Sequence, residues 1–406
     1  MRSVNRYRVR RGCGNVGVVS TLDGVIPGIV DAHLHQWNPR RTPWAANRLS
    51  RLYRYVPAFG DRVFPVVVPQ SDKEYVLTPN TVARVYEPPQ YVSDAAAIPA
   101  VAGVGVDTVV HLESHWRNDE SAGAADTPEG RSAVEETRYV TGLPFGIGQA
   151  PRLGAVVAHA DPRAERFGDL LDEHAAVNDR LRGIRLMTTR HPDPRVRNGG
   201  DADGILASPA FLKGFAEVAE RGLVFDAFVY SHQLYDVVTL AREYPESTIV
   251  VDHIGTPVGV FGPVGARTGA SASARADILR LWRERMTTVA TCRNVVVKLS
   301  GLGMPVLGYG RERWGNIGSR ETLAEMVGPL VEHVVGHFGA DRVMFGSNFP
   351  IDKPNTSLDM VVGALIDLLA PRGDYMLRKA FRENALRVYR IADPPPTAGR
   401  SESLVE

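Results

Sequence analysis

Eight short apolar runs recur along this chain, and each run ends in polar residues. They start at Gly28, Asp107, Leu153, Leu181, Gly222, Ser247, Asn294 and Asp341, and read GIVDAHLHQW, DTVVHLESHW, LGAVVAHADP, LRGIRLMTTRH, GLVFDAFVYSH, STIVVDHIGTP, NVVVKLSGLG and DRVMFGSNFPID. Their length and their richness in Val and Ile are typical of strands buried on both faces, as in parallel sheets. The pattern therefore predicts eight parallel strands.

Segments with an apolar stripe of helical period separate these runs. Ser208 followed by Pro209 predicts a helix start, because serine caps the first amides and proline suits the first turn. Gly222 and Gly339 stand where helix C-caps belong. Eight rounds of strand and helix predict an α/β fold, a single (β/α)8 TIM barrel. A doubly wound open sheet is the alternative, but no glycine-rich phosphate loop follows the first strand.

The chain divides into a barrel and three further segments. We expect an N-terminal extension over residues 1–23, the barrel over residues 24–392 and a disordered tail over residues 393–406. Residues 38–102 separate the first two strands and are too many for an ordinary loop. This segment is rich in arginine and aromatic residues, and we predict a lid-like insertion at the catalytic rim of the barrel, with a solvated loop as the alternative.

Composition narrows the class of protein. The chain has 406 residues, 44% of them apolar, and a net charge of +1, so it has no global field that would recruit nucleic acid or a membrane surface. No apolar run is long enough to span a membrane. Cys13 and Cys292 give no disulfide framework. The basic N-terminus makes a poor signal peptide, and we expect a cytoplasmic enzyme.

Titratable side chains gather where the predicted strands end. His33 and His35 stand two residues apart on one strand, so they share a face. An isolated pair of this kind is more often two hydrogen-bonded core histidines than a metal site. Similar residues close the other strands, however, and TIM barrels build active sites there. They are His111, Glu113, His115, His159, Asp161, Arg185, His191, His232, Asp252, His253, Lys298, Ser300, Asn348 and Asp352.

The motifs that carry these residues resemble the amidohydrolase superfamily. VDAHLHQW at the first strand, VVDHIGTP at the sixth and VMFGSNFPID at the eighth are similar to its amidohydrolase-related branch, which includes pyrone-dicarboxylate lactonase, fuconolactonase and sulfomuconolactone hydrolase. The resemblance runs from about residue 26 to residue 391. It implies a TIM barrel that hydrolyses lactones, esters or amides, with or without a divalent metal.

The resemblance also implies roles for particular residues. His33 and His35 would bind metal or polarise a carbonyl. His253 and the His232 region would complete the set around the metal, and Glu113 would be a further ligand. Relatives commonly have an aspartate where this chain has Asn348, and an amide cannot act as a base near neutral pH. Arg185 stands where two-metal members have a lysine, and it cannot ligate. We therefore expect one divalent ion, zinc first, or none, and no organic cofactor.

The missing aspartate moves the general base elsewhere. Asp352, four residues beyond Asn348, is our first candidate and Glu113 the second, with Asp252 and the neutral histidines in competition. Lys298 would face a developing oxyanion or a substrate carboxylate, or else form a structural ion pair. The catalytic set is thus His33, His35, Lys298, Asn348 and Asp352. We expect substrate contacts from Trp37, His159, Arg185, His191 and His232.

Three functions fit this pattern. The first is a lactonase-like hydrolase, in which water attacks the polarised carbonyl of a small lactone, ester or related acyl compound. The second is a lyase, a non-oxidative decarboxylase or hydratase on the same scaffold, and the third is a non-catalytic binding protein. The expected partner is a small anionic substrate. Nucleic acid and membrane are not expected as partners, and a homo-oligomer is left open.

Overall fold

Eight parallel strands form the centre of the molecule. The computed structural model describes residues 21–42, 69–76, 84–114, 116, 128–309 and 317–393. Each strand pairs with the next one along the chain, from the first to the eighth. They are β1 (Ile29–Leu34), β2 (Val106–Leu112), β3 (Arg152–His159), β4 (Leu181–Met187), β5 (Val224–Phe228), β6 (Ile249–Val251), β7 (Val295–Leu299) and β8 (Val343–Phe345).

The sheet closes where the end of β1 meets the segment after β8. Asn348 N donates to His33 O at 2.8 Å, and His35 N donates to Phe349 O at 3.0 Å. The barrel predicted from the sequence is confirmed, and the open sheet is not. Because all strands run the same way, their C-terminal ends meet at one face.

Apolar side chains fill the barrel below that face. Val110 and Leu112 of β2 and their counterparts on other strands form one buried cluster with Val388 and Tyr389 near the C-terminus. The C-terminal helix thereby closes the N-terminal end of the barrel. Among the described residues, this leaves the C-terminal end of the barrel for a site.

Helices surround the strands in the described part of the chain. Ser208 Oγ accepts from Phe211 N at 3.3 Å, so the predicted cap is confirmed, and Gly222 has the left-handed φ of 58° that ends this helix. The helices are α1 (Gln70–Val76), α2 (Pro88–Ala95), α3 (Ile98–Ala102), α4 (Pro128–Thr141), α5 (Phe167–Val177), α6 (Pro209–Glu220), α7 (Leu234–Glu243), α8 (Ala272–Ala290), α9 (Arg320–Phe338), α10 (Leu358–Leu369), α11 (Asp374–Arg378) and α12 (Asn384–Val388).

The segment between β1 and β2 has two parts. Helices α2 and α3, in the last part of the predicted insertion, belong to the outer layer and pack against α10. Helix α1 lies over the loops at the C-terminal face: Gly265 N, after β6, donates to Glu74 Oε2 at 2.7 Å, which is the place expected for a lid. Residues 43–68 and 77–83 of the predicted lid lie outside the described residues.

The predicted terminal segments fall mostly outside the described residues as well. Of residues 1–23, the structure describes the last three, and Leu22 is buried with its amide donating to Ala102 O at 2.8 Å. Of the predicted tail it describes Asp393 alone. No helix in the described ranges has the length and apolar character needed to cross a membrane.

Candidate active site

His33 and His35 meet at the C-terminal end of the barrel. Their Nε2 atoms lie 3.2 Å apart, and both side chains are buried. The buried carboxylate of Asp31 fixes this end of β1, since its Oδ1 accepts from His33 N at 3.1 Å and from Ser347 N at 2.8 Å. The two imidazoles are thus brought together by backbone that is anchored to the segment after β8.

Hydrogen-bond partners define which ring nitrogens carry protons. His35 Nδ1 lies 3.1 Å from the carbonyl oxygens of Leu112 and Glu113, which only accept, so Nδ1 is protonated and Nε2 has a lone pair. Arg185 Nη1 donates to His33 Nε2 at 3.4 Å, which leaves the His33 proton on Nδ1, 3.3 Å from Asp252 Oδ1. The His35 Nε2 lone pair therefore lies beside the His33 Nε2 lone pair, which accepts from Arg185.

The turn after β6 adds Asp252 and His253. His253 has a left-handed φ of 53°, its Nδ1 lies 2.9 Å from Ser300 Oγ, and its ring centroid lies 4.5 Å from that of His33. His33, Asp252 and His253 offer ligand atoms within 4.8 Å of one another. Such a backbone is costly for a residue other than glycine and is common at functional sites.

Burial keeps these histidines neutral. It lowers the pKa of His35 to about 3, with the Arg185 charge in support, and that of His253 to about 3 against the opposing effect of Asp252. Burial also lowers the pKa of His33 well below its ordinary value. Neutral imidazoles with outward lone pairs are the form that binds a metal ion.

Arg185 and Glu113 form a buried ion pair beside the histidines. Arg185 Nε donates to Glu113 Oε1 at 2.8 Å, and Nη2 lies 2.7 Å from the same oxygen. The carboxylate predicted as a metal ligand is thus held by Arg185, and the candidate ligand group does not include Glu113. The ligand role of Glu113 stays a prediction without geometric support.

Lys298 lies below the histidines and is fully buried. Its ammonium donates to Asp226 Oδ1 and lies 3.2 Å from Asp252 Oδ1 and 3.3 Å from His33 Nδ1. Tyr389 Oη also donates to Asp226 Oδ1, at 2.8 Å. Of the two roles considered for Lys298, this geometry favours the structural ion pair over contact with an oxyanion.

Asp252 stays ionised in this setting. Burial alone would raise its pKa, but Lys298 and His33 hold the pKa well below the ordinary value. Asp252 Oδ1 lies within reach of two donors, His33 Nδ1 at 3.3 Å and Lys298 Nζ at 3.2 Å, whereas Oδ2 has Arg185 Nη1 3.7 Å away and makes no hydrogen bond within the described residues. Burial dominates for Asp226 instead and raises its pKa to about 6.

Asn348 completes the group from the segment after β8. Its Oδ1 lies 3.3 Å from His35 Nε2, and its Nδ2 donates to Asp352 Oδ1 at 2.7 Å. Asp352 Oδ2 accepts from Gly303 N at 2.8 Å. Burial raises the pKa of Asp352 to about 7, against the lowering effect of both donors. Asp352 therefore lies behind Asn348, one layer from the histidines.

The residues predicted to contact substrate are spread around this centre. The His191 and His232 rings lie 5.3 Å apart in the loops after β4 and β5, and both are half-buried. Trp37 is buried 6.5 Å from the His35 ring, and its Nε1 donates to Arg84 O at 2.9 Å. His159 ends β3, where its carbonyl lies 3.2 Å from His174 Nε2. His115 lies outside the described residues.

The sequence did not indicate the residues that hold Lys298 and Asp352 in place. Asp226, Gly303 and Tyr389 act through Lys298 and Asp352, and none of the three was a candidate site residue from the sequence. An aspartate inside an apolar β5 was the one available signal. His111, grouped with the strand-end residues, contacts Glu136 of α4 at 3.3 Å instead of the two β1 histidines.

Comparisons with known proteins agree with this architecture. The amidohydrolase family model matches residues 30–391, so the chain belongs to the amidohydrolase family and is an enzyme of the hydrolase type. It is 28% identical over 365 residues to the uncharacterised protein y4mH of Sinorhizobium fredii, covering 89% of this chain and 98% of that one. It is 26% identical over 278 residues to L-fucono-1,5-lactonase of Burkholderia multivorans, covering 68% and 83% of the two chains.

A solved structure shares the fold. The crystal structure of an amidohydrolase from Burkholderia multivorans with bound zinc has a TM-score of 0.59 and 20% identity, and the match covers 90% of this chain and 100% of that one. At that identity the likeness concerns the barrel alone.

Proposed function

We propose that this enzyme hydrolyses a small lactone at the C-terminal end of its barrel. The convergence of His33, His35, His253 and Asn348, with ionised Asp252 beside them, carries the proposal. Ester hydrolysis requires a group that polarises the carbonyl and a carboxylate that accepts a proton from water, and this arrangement offers both. Similarity to L-fucono-1,5-lactonase supports a lactone as the substrate class.

The donor set suits one divalent ion, with zinc first. The Nε2 atoms of His33 and His35 lie 3.2 Å apart, a spacing that two nitrogen ligands of one ion could have once the Arg185 guanidinium releases the His33 lone pair. His33 also contacts Asp252 through Nδ1, the arrangement in which a carboxylate orients a metal-binding imidazole. A bound ion would polarise the lactone carbonyl as a Lewis acid. Arg185 lies beside the pair, and its charge disfavours a second cation.

We assign the proton acceptor to Asp252. Asp352 accepts from two donors and lies behind Asn348, and Glu113 is bound by Arg185. Asp252 is ionised, and although its Oδ1 lies close to His33 and Lys298, its Oδ2 makes no hydrogen bond within the described ranges. In this account Asp252 takes the proton of the attacking water, and Lys298 stabilises the carboxylate before that step.

The charges of the centre favour a neutral substrate. The anionic substrate expected from the sequence rested on Arg185, on Lys298 and on the arginines of the insertion after β1, most of which lie outside the described residues. Arg185 pairs with Glu113, and Lys298 pairs with Asp226. Both cations are therefore already neutralised by carboxylates. We propose a neutral lactone with several hydroxyl groups, such as an aldonolactone.

A turnover screen tests this function. Zinc-loaded protein is assayed on L-fucono-1,5-lactone and other sugar lactones, on a pyrone dicarboxylate and on hydroxybenzoates. We expect hydrolysis of sugar lactones, and loss of kcat by about a hundredfold or more in Asp252→Asn with a smaller change in KM. Decarboxylation of a hydroxybenzoate without lactone hydrolysis would establish the lyase function instead.

A further inference from the structure

Asn348 and Asp352 form a unit built by one turn of backbone. Asp352 N donates to Asn348 O at 3.2 Å, which folds the chain back and places the Asp352 carboxylate against the Asn348 amide. Asn348 has a left-handed φ of 56°, a conformation that asparagine tolerates better than most residues. Because Asp352 follows Asn348 by four residues, this turn brings its side chain into contact with the Asn348 amide.

The contacts of Asp352 define the orientation of the Asn348 amide. Gly303 N donates to one oxygen of Asp352, and Asn348 Nδ2 donates to the other at 2.7 Å. With the NH2 group held by the carboxylate, the Asn348 oxygen is turned towards His35 Nε2, 3.3 Å away. Both Asn348 and Asp352 are buried, so no bulk water competes for these bonds.

We propose that Asp352 is a positioning residue that holds Asn348 Oδ1 towards the His33 and His35 pair as a neutral oxygen donor to a divalent ion. Without Asp352 the amide could rotate and present its NH2 group, which cannot ligate. This inference extends the proposed function, because it concerns the same centre. It replaces the expectation that Asp352 is the general base.

A double-mutant cycle on zinc binding tests the inference. Dissociation constants for zinc alone are measured by competition with a chromophoric chelator for the wild type, Asp352→Ala, Asn348→Ala and the double variant. We expect Asp352→Ala to weaken zinc binding about 10–100-fold, as loss of a residue that supports a ligand commonly does. In the Asn348→Ala background the same change should cost less than about twofold.

Controls separate positioning from folding. Asp352→Asn keeps the side-chain volume and should weaken zinc binding in the same direction. Asn355→Ala is the matched control: Asn355 Nδ2 donates to Gly303 O at 2.8 Å in the same loop but is not hydrogen-bonded to Asn348. It should lower the melting temperature and leave zinc affinity unchanged. Absorption of the cobalt-substituted protein should change shape in Asp352→Ala and not in Asn355→Ala.

Three results would overturn the inference. The first is a wild type that binds no zinc. The second is that the effects of the two single changes on the zinc dissociation constant multiply in the double variant. The third is an Asp352→Asn protein with normal zinc affinity but kcat reduced about a hundredfold. The last result would identify Asp352 as the base. Zinc-loaded wild type that hydrolyses no lactone would contradict the proposed function alone, because the cycle measures binding and not turnover.

Discussion

Burial decides the protonation state of single residues in this protein. His33, His35 and His253 are kept neutral because water is excluded, and Asp252 is ionised because Lys298 and His33 are close. Glu136 is the opposite case: burial, with the Glu113 charge, raises its pKa to about 8, although Ser114 N donates to it. The same physical effect therefore prepares bases at one position and a neutral acid at another.

The raised pKa of Glu136 predicts a dependence of stability on pH. The folded protein keeps the Glu136 proton that the unfolded chain releases near pH 4.5, so this contribution to stability is complete below that pH and is lost as pH rises towards about 8. Glu136→Gln removes the titration. Between pH 5 and pH 8, the free energy of unfolding of the wild type should fall relative to the variant by more than about 1 kcal/mol.

Urea denaturation of both proteins at several pH values measures that difference. Parallel curves for the wild type and Glu136→Gln would show that Glu136 ionises normally in the folded protein. Glu135→Gln serves as the matched control, since Glu135 is exposed on the same helix and pairs with Arg138 in solvent.

Individual residues of the centre were predictable where a motif carried them. His33, His35, His253 and Asn348 come together as the sequence indicated. The partners of Glu113, Lys298 and Asp352 were not predictable, because ion pairing across the barrel depends on distances that sequence spacing does not define. These pairings are what changed the expected roles of all three.

At the scale of elements, the turns that follow the strands place the side chains of the site. The segments after β6 and β8 both use left-handed backbone, at His253 and at Asn348. The loop after β7 supports both: Ser300 contacts His253, and Gly303 contacts Asp352. The eight strands could be predicted from Val and Ile runs, whereas these turns could not, because left-handed residues other than glycine leave no pattern.

Gly301 provides a test of this arrangement. A Cβ at Gly301 would lie 2.7 Å from the His253 ring, and its φ of 65° is left-handed. Gly301→Ala should displace His253 and reduce zinc affinity and lactone turnover by at least about tenfold. Gly373→Ala is the matched control, since Gly373 has a φ of 86° with nothing within 4 Å of the added Cβ.

Both alanine variants carry backbone strain, so both should lower the melting temperature. Only the first should affect the site. Equal zinc affinity in the two variants, measured by the same chelator competition, would show that His253 does not need this glycine.

The two ends of the barrel are connected at the scale of the whole molecule. Helix α12 closes the N-terminal end, and Tyr389, just after it, reaches through Asp226 and Lys298 to His33 at the other end. The barrel was predictable from the sequence, but this connection was not, since its three contacts join residues that are 72, 163 and 265 positions apart.

Removal of the Tyr389 hydroxyl tests the connection. Tyr389→Phe leaves Asp226 with one donor fewer in a buried position, and the free energy of unfolding should fall by about 1–3 kcal/mol. Tyr375→Phe removes a similar bond, 2.8 Å from Tyr375 Oη to Asp341 Oδ1, but at an exposed position, and should cost clearly less stability than Tyr389→Phe. Equal losses in the free energy of unfolding, measured by chemical denaturation, would mean that the buried hydrogen bond stabilises the protein no more than the exposed one.

The central claim is that one divalent ion at the His33 and His35 pair supports lactone hydrolysis. Stepwise addition of zinc to chelator-treated protein, with turnover of L-fucono-1,5-lactone followed at each step, tests it most directly. The account predicts that turnover rises in proportion to zinc and stops rising at one equivalent per chain. Turnover that needs two equivalents, or that is unchanged by removal of the metal, would contradict it.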